Sequence, residues 1–317
     1  MVSLRKVIFW ISILCALGCV GYLFYSLVFL SWKNDSVNNQ IRDVAFIQKD
    51  ETEEPDEPKK EAPSIDWNKL KSINSEIVAW VKIDGTNIDY PVLYHEGDDE
   101  NSQYYLYKDY NKDYSEYGSV FIDYRSGIDS KNIILHGHHM IDGSMFSDLT
   151  KYGGTSPDIG FYQKAHRIKF YKPEGDEEYE IISVMKTPQD NSNGDFFNYL
   201  IGNFSSNRDF INYMYDVRVR SMINCPIASN ENDDLLTLST CSYEYSGTIR
   251  TVVVARKIRD GEQILDVSSA SENTEVLHAK GFYSEYGGTR PKESTFEEDF
   301  DKIKWYDGNI NFSYKEP

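Results

Sequence analysis

Thr237-Leu238-Ser239-Thr240-Cys241 sets a cysteine at the end of an apolar strand, and Arg250 opens the next apolar run after the loop-like Ser-Tyr-Glu-Tyr-Ser-Gly-Thr-Ile. About a hundred residues earlier, Ile133-Ile134-Leu135-His136-Gly137-His138-His139 puts histidines at the end of another strand. A thiol, an imidazole and a guanidinium can attack a carbonyl, relay a proton and hold an oxyanion. A cysteine after an apolar strand is most often a small buried hydrophobe. Here hydroxyls surround it, a loop follows it and a cation opens the next strand. A thiol attacks as thiolate and needs a basic or cationic neighbour. Arginine is no practical base, so Arg250 must act by donating hydrogen bonds. Arg256 and Arg259 are the competing guanidiniums. Arg256 lies about 20 Å further along an extended strand, too far to share one site with Arg250.

Together these residues resemble the sortases, cysteine transpeptidases of Gram-positive cell surfaces, and class B among them. Thr237 to Cys241 matches the sortase signature. His138 takes the family's catalytic place after Gly137, and Asp142-Gly143-Ser144-Met145-Phe146 fits the class B loop that follows. Arg250 stands where the family's arginine stands, just before Thr251-Val252-Val253-Val254. His136 and His139 occupy positions where sortases more often carry tyrosine and asparagine. That departure keeps a metal reading open, with His136, His138, His139 and Asp142 as ligands, because alternate strand residues share a face and imidazoles suit zinc. The metal reading leaves Cys241 and Arg250 unexplained, and the resemblance implies a mechanism with no metal and no organic cofactor.

For the substrate groove, Ser239 shares a face with Cys241 if the strand persists. Leu106 resembles a wall residue of class B enzymes and Asn101 its polar neighbour, with one extra residue between them. Ser242 replaces a carboxylate sometimes found after the cysteine. Tyr243 and Glu244 are further groove candidates. The resemblance implies cleavage of a C-terminal sorting motif after threonine, through a thioester on Cys241. An amine of the peptidoglycan precursor or cross-bridge then resolves it, fixing a secreted surface protein to the wall. Competing readings are a class C-like pilin polymerase, a cysteine endopeptidase and an inactive surface binding module. Class C enzymes usually carry an Asp-Pro-aromatic lid and often a C-terminal apolar segment, and this sequence has neither.

Several strands must position those groups. Short runs rich in valine and isoleucine are expected at Ile77–Ile83, Ile88–Leu93, Ser119–Tyr124, Asn132–His136, Arg167–Tyr171, Tyr179–Lys186, Leu235–Thr240 and Ile249–Ile258. With few helices between them they predict a mainly β fold, an eight-stranded barrel rather than a doubly wound sheet. N-terminal helices precede it, the nearer capped by Asp66 with Trp67, Leu70 and Ile73 on one face. From Asp195 to Val219, apolar spacings of three and four predict a helical insertion between strands 6 and 7, as class B sortases carry. The expected catalytic domain is 65–260.

The remainder is an N-terminal anchor, a stalk and a tail. Arg5 and Lys6 precede an uncharged run from Val7 to Leu30, which as a helix is about 36 Å long and long enough to cross a membrane. Bulky residues from Tyr22 to Trp32 stand where a signal-peptide cleavage site would need small ones. Residues 1–32 are therefore expected to be a cytoplasmic stub and a single-pass anchor in membrane lipid, with the catalytic domain extracellular. Residues 33–64, with the acidic run Asp50 to Glu61, read as a self-repelling stalk. The net charge of −18 disfavours nucleic-acid binding. Cys15 and Cys19 fall in the apolar run, and a Cys225–Cys241 disulfide would consume the nucleophile. The extension 261–317 carries Phe282, Tyr283, Phe296, Phe300, Trp305, Tyr306, Phe312 and Tyr314, too aromatic for a free linker, and is expected to pack on the barrel. Its Tyr286-Gly287-Gly288-Thr289-Arg290-Pro291 echoes Tyr152-Gly153-Gly154-Thr155-Ser156-Pro157, by chance or by a short duplication.

Overall fold

The computed structural model describes residues 4–46, 64–191, 195–243, 248–263 and 265–310. The chain divides at Leu70 into two compact units. In the first, α1 (Leu4–Phe24) passes through a π-helical turn (Tyr25–Phe29) into α2 (Leu30–Ala45). Together they form one 42-residue helix, long and apolar enough to cross a membrane. The first part of the expected stalk is thus helical, with Ile41 and Ala45 buried. The acidic run Asp50 to Glu61 lies outside the described residues. Asp66 caps α3 (Trp67–Ile73), its Oδ1 accepting from the Lys69 N–H at 3.0 Å.

The second unit holds the sheet. Its strands are β1 (Ile77–Lys82), β2 (Asp89–Leu93), β3 (Val120–Ile122), β4 (Asn132–His136), β5 (Arg167–Tyr171), β6 (Glu177–Pro188), β7 (Ile223–Asn224), β8 (Leu235–Ser242) and β9 (Ile249–Lys257). Eight of them close a barrel in the order β1-β2-β3-β4-β8-β9-β6-β5, while β7 pairs apart from it with β10 (Ser271–Glu272). The strand pairs β2–β3 and β4–β8 are parallel and the other barrel pairs antiparallel. Ile133, Ile134 and Leu135, Leu235 to Leu238, and Val252, Val253 and Val254 are buried on successive positions rather than alternate ones, because helices and loops cover the outside of these central strands. Pro91 sits in β2, opposite Trp80, whose Nε1–H donates to Asp89 at 2.6 Å.

The insertion is a shorter helix than the periodicity predicts. Only α5 (Asn207–Val219) is helical, capped by Ser206, whose side chain accepts from the Asp209 N–H. It follows α4 (Ile159–Lys164) in the chain. Residues 195–204 are an irregular strap. Its backbone bonds go to the barrel instead of along a helix, with Gly202 O accepting from Asn132 N at 2.9 Å and Ile201 O from Asn132 Nδ2 at 2.9 Å. Gly202 permits this approach, since a Cβ there would lie 2.5 Å from the Arg125 carbonyl oxygen.

After β10 the chain forms α6 (Lys280–Tyr286) and a 3₁₀ turn at Phe300–Lys302. Residues 265–310 lie against α5 and the loops before β8. Phe296 is fully buried, with its ring edge-on to Tyr215 of α5. Tyr306 bridges to Ser229 and donates to Glu231 at 2.8 Å, and Arg259 bonds both Asp233 and Asp307. Phe312 and Tyr314 lie outside the described residues. The two echoing stretches differ in conformation. Gly153 bridges to Pro157 before α4 and β5, whereas Gly287 and Gly288 take φ of 76° and 94° after α6.

Candidate active site

Antiparallel pairing of β8 with β9 makes Cys241 and Arg250 opposite residues. The Arg250 Nη1–H donates to the Cys241 sulfur at 2.8 Å, and Nη2–H to Gln189 Oε1 at 3.1 Å. Gln189 directly follows β6, where Thr187 is the register partner of Arg250. The cation is therefore oriented from both sides. Arg256 and Arg259, the competing guanidiniums, are committed elsewhere: Arg256 is buried on Glu262 and Arg259 holds Asp233 and Asp307.

The parallel β4–β8 pair sets His136 opposite Ser239, which carries His138 and Cys241 to the same end of neighbouring strands. Thr240 ties the two strand ends, its hydroxyl donating to the Gly137 carbonyl at 2.8 Å. Gly137 must be glycine there, because a Cβ would lie 2.7 Å from the Phe146 ring. His138 Nε2 meets the Leu106 carbonyl oxygen at 2.7 Å. A carbonyl only accepts, so Nε2 carries the hydrogen, and the neutral ring keeps its lone pair on Nδ1. Burial pulls the His138 pKa below its ordinary value; the Leu106 hydrogen bond opposes this, and the nearby Arg250 charge adds to it.

The other histidines do not join His138. His136 Nε2 donates to Asp123 Oδ2 at 2.7 Å. Burial works to raise the Asp123 carboxyl, but the bond and charge of His136 and the charge of Arg125 hold it below the usual range. His139 Nδ1 donates to the Cys241 carbonyl oxygen at 3.0 Å, and its ring stacks on Tyr243. Asp142 accepts from Tyr117 at 2.7 Å and from Ser144. The four side chains of the metal reading thus serve different partners. Among the described residues no three His, Cys, Asp or Glu side chains form a group that could hold a metal ion.

Of the groove candidates, Leu106 meets His138 through its carbonyl. Asn101 is exposed on a loop, where its N–H donates to Asp99. Ser239 and Ser242 are buried rather than open to solvent. Ser239 shares a hydrogen bond of 2.8 Å with the Tyr199 hydroxyl of the strap, and Ser242 accepts from the buried Lys186 ammonium at 2.9 Å. Tyr243 is 71% exposed beside the thiol, and Glu244 lies outside the described residues. Cys225 and Cys241 are both free thiols. Burial pushes the Cys225 thiol up to about 11, which makes it a poor nucleophile. The Leu106 carbonyl, Gln189, Tyr199 and Lys186 escaped the sequence reading. Only the apolar spacing of Phe196, Leu200 and Phe204 marked the segment that carries Tyr199.

A family model for the sortase domain matches residues 81–258. Sortase B of Staphylococcus aureus is 32% identical over 194 residues, 61% of this chain and 74% of that protein. Sortase B of Listeria monocytogenes is 34% identical over 177 residues, 55% of this chain and 66% of that protein. A solved Staphylococcus aureus sortase B–substrate complex superposes with a TM-score of 0.53 at 32% identity, over 61% of this chain and 84% of that one. The matched region contains β8, β9 and the loop after β4, and with them the cysteine, the arginine and the histidine. This chain belongs to the sortase family, in its class B branch.

Proposed function

We propose that Cys241, His138 and Arg250 are the nucleophile, the acid/base and the oxyanion donor of a class B transpeptidation. The observation that carries this reading is the 2.8 Å bond from Arg250 to the Cys241 sulfur. A guanidinium on a sulfur favours the thiolate, and the same fork lies beside any carbonyl oxygen the sulfur attacks. The Cys241 thiol gives its proton to His138 Nδ1, the resulting thiolate adds to the carbonyl of the threonine in a C-terminal sorting motif, and Arg250 donates to the oxyanion. As the intermediate collapses, His138 protonates the departing amine and a thioester remains. A peptidoglycan precursor or cross-bridge amine attacks the thioester and gives its proton to His138. Cys241 departs as thiolate, and the surface protein is left in amide linkage to the wall.

The apolar helix Leu4–Ala45 suits a single-pass anchor with Arg5 and Lys6 inside and the catalytic domain outside. Holding enzyme and membrane-tethered substrate in one plane raises their effective concentration. In this arrangement residues 1–32 anchor, 33–64 space the domain from the bilayer, 65–260 catalyse and 261–317 pack beside the barrel. Asn101, Leu106, Ser239, Ser242, Tyr243 and Glu244 are proposed to shape the peptide site, with Ser239 and Ser242 acting from beneath its surface.

The test is mass spectrometry of the full chain incubated with candidate motif peptides, with and without an amine acceptor. A mass increment on Cys241 and an amide product with the amine support transpeptidation. Hydrolysis alone in the presence of amine supports an endopeptidase, and no adduct with any peptide supports a binding module.

A further inference from the structure

The aromatic extension lies outside the matched sortase region, yet it reaches the strap beside the site. Lys280 N donates to Asp195 Oδ1 at 2.8 Å and Arg290 Nη2 donates to Asp195 Oδ2 at 2.5 Å. Arg290 is itself held by the His278 carbonyl oxygen at 3.1 Å and Glu293 at 2.6 Å. Past Asp195 the strap turns at Asn198, where the Tyr199 N–H donates to the Phe197 carbonyl oxygen at 2.9 Å and the Leu200 N–H to Asn198 Oδ1 at 3.2 Å. The Phe197 N–H donates to Thr187 Oγ1 at 3.2 Å, and Thr187 is the register partner of Arg250. The Phe197 ring lies between the Arg220 guanidinium and Tyr213. Two residues on, the Tyr199 hydroxyl reaches Ser239 at 2.8 Å, two positions before Cys241. Leu277, His278 and Ala279 also line, with Lys186, Thr187 and Phe197, a small cleft at the end of β6.

We propose that the C-terminal extension is a working part of the peptide site: Arg290 and the Lys280 N–H, clamping Asp195, hold the 195–199 strap against β6 and β8. Asp195 and Arg290 are positioning residues, and they act on the site through Phe197 and Tyr199. A strap with neither a helix nor a strand ladder of its own is ordered only as well as its ends are fixed. One end of the strap is fixed at Gly202 on Asn132, and the other is fixed by the extension. The expected consequence lies in peptide binding more than in thiol reactivity, since the Arg250–Cys241 bond is set by strand register. This inference rests on the transpeptidase reading for its kinetic part only.

The test uses full-length Asp195→Ala, Arg290→Ala, Arg290→Lys and the Asp195→Ala/Arg290→Ala double variant. Hydrogen exchange at the amides of 196–200 is expected to rise at least tenfold in both alanine single variants. The double variant should be no faster than either, because both remove one clamp, and Arg290→Lys should fall between them and wild type. KM for a cleaved motif peptide should rise at least tenfold, with kcat and the rate of Cys241 alkylation within twofold. Unchanged exchange at 196–200 overturns the proposal. So do additive effects in the double variant, or faster exchange without a change in KM. If the wild-type chain cleaves no peptide, the transpeptidase reading fails, and the exchange measurement still decides whether the extension holds the strap.

Discussion

Cys241 and Arg250 face each other as register partners on β8 and β9, and the guanidinium donates to the sulfur at 2.8 Å. Their alignment is a property of the sheet, because a one-residue slip in the β8–β9 ladder would turn one of them to the other face. Under the proposed mechanism the thiolate and the oxyanion would share this one donor, placed by backbone hydrogen bonds.

That shared donor separates shape from charge. Arg250→Lys keeps the cation but loses the planar fork, so kcat/KM should fall on the order of 10²-fold, about 3 kcal/mol. Arg250→Gln also removes the positive charge that helps depress His138, so its imidazole titration, followed by NMR, should move up toward the ordinary histidine value. Full rescue by lysine would leave charge alone as the role of Arg250.

Cys241→Ala should abolish peptide cleavage and adduct formation. Cys225→Ala should keep most activity, since that thiol is buried and held protonated at neutral pH. Intact mass after peptide incubation reads both. An equal loss in Cys225→Ala without unfolding by circular dichroism would point to a two-thiol mechanism.

His138→Ala should lose at least the 10²-fold typical of an acid/base group, and His136→Ala and His139→Ala much less. Activity that fell with a chelator and returned with zinc would instead favour a metal mechanism. The Leu106 carbonyl that holds His138 cannot be deleted, but it can be moved. Gly118 has φ of 58°, and a Cβ there would lie 2.2 Å from the Leu106 oxygen. Gly118→Ala should thus cost roughly 1–2 kcal/mol of backbone strain and lower kcat at least tenfold. Thermal unfolding and kinetics on one sample check the two effects together. Loss of stability with unchanged kcat would dismiss the carbonyl's part in catalysis.

His278 stacks on Phe282, and burial pulls its pKa down to about 4. A histidine with a depressed folded pKa stabilises fully above its unfolded value near 6.5. That stability is lost as pH falls from there through about 4. Melting temperature should therefore drop less between pH 7 and 4.5 in His278→Phe than in wild type. Parallel curves for the two proteins would mean that His278 takes up its proton without cost to the fold.

Phe296→Ala should destabilise the catalytic unit by about 3–5 kcal/mol, because its ring is fully buried among Tyr215, Trp305 and Tyr306. Denaturant unfolding measures it. A loss below about 1 kcal/mol would mean that the extension contributes little to the fold.

The barrel strands were legible because β-branched runs such as Thr251-Val252-Val253-Val254 have few other uses. The thiol and guanidinium were legible because their residue types carry their chemistry. The Leu106 carbonyl was not, since a backbone oxygen looks the same at every position. Gln189 and Tyr199 were hidden because their partners are distant in sequence. Phe196, Leu200 and Phe204 have helical spacing, yet the strap bonds to Asn132 instead of to itself. Tertiary bonds outweighed periodicity there, and Gly202 was the one local sign of close backbone approach.

Closure of the barrel limits how a peptide can be held. Each of its eight strands has a neighbour on both sides for at least part of its length, so among the described residues no whole strand is left as an edge on which a substrate could add itself. Most main-chain amides and carbonyls of a bound peptide would then be met by side chains and loops. Recognition becomes a matter of a few directed contacts rather than a continuous ladder, and loop replacement could retarget the enzyme while its barrel stays as it is.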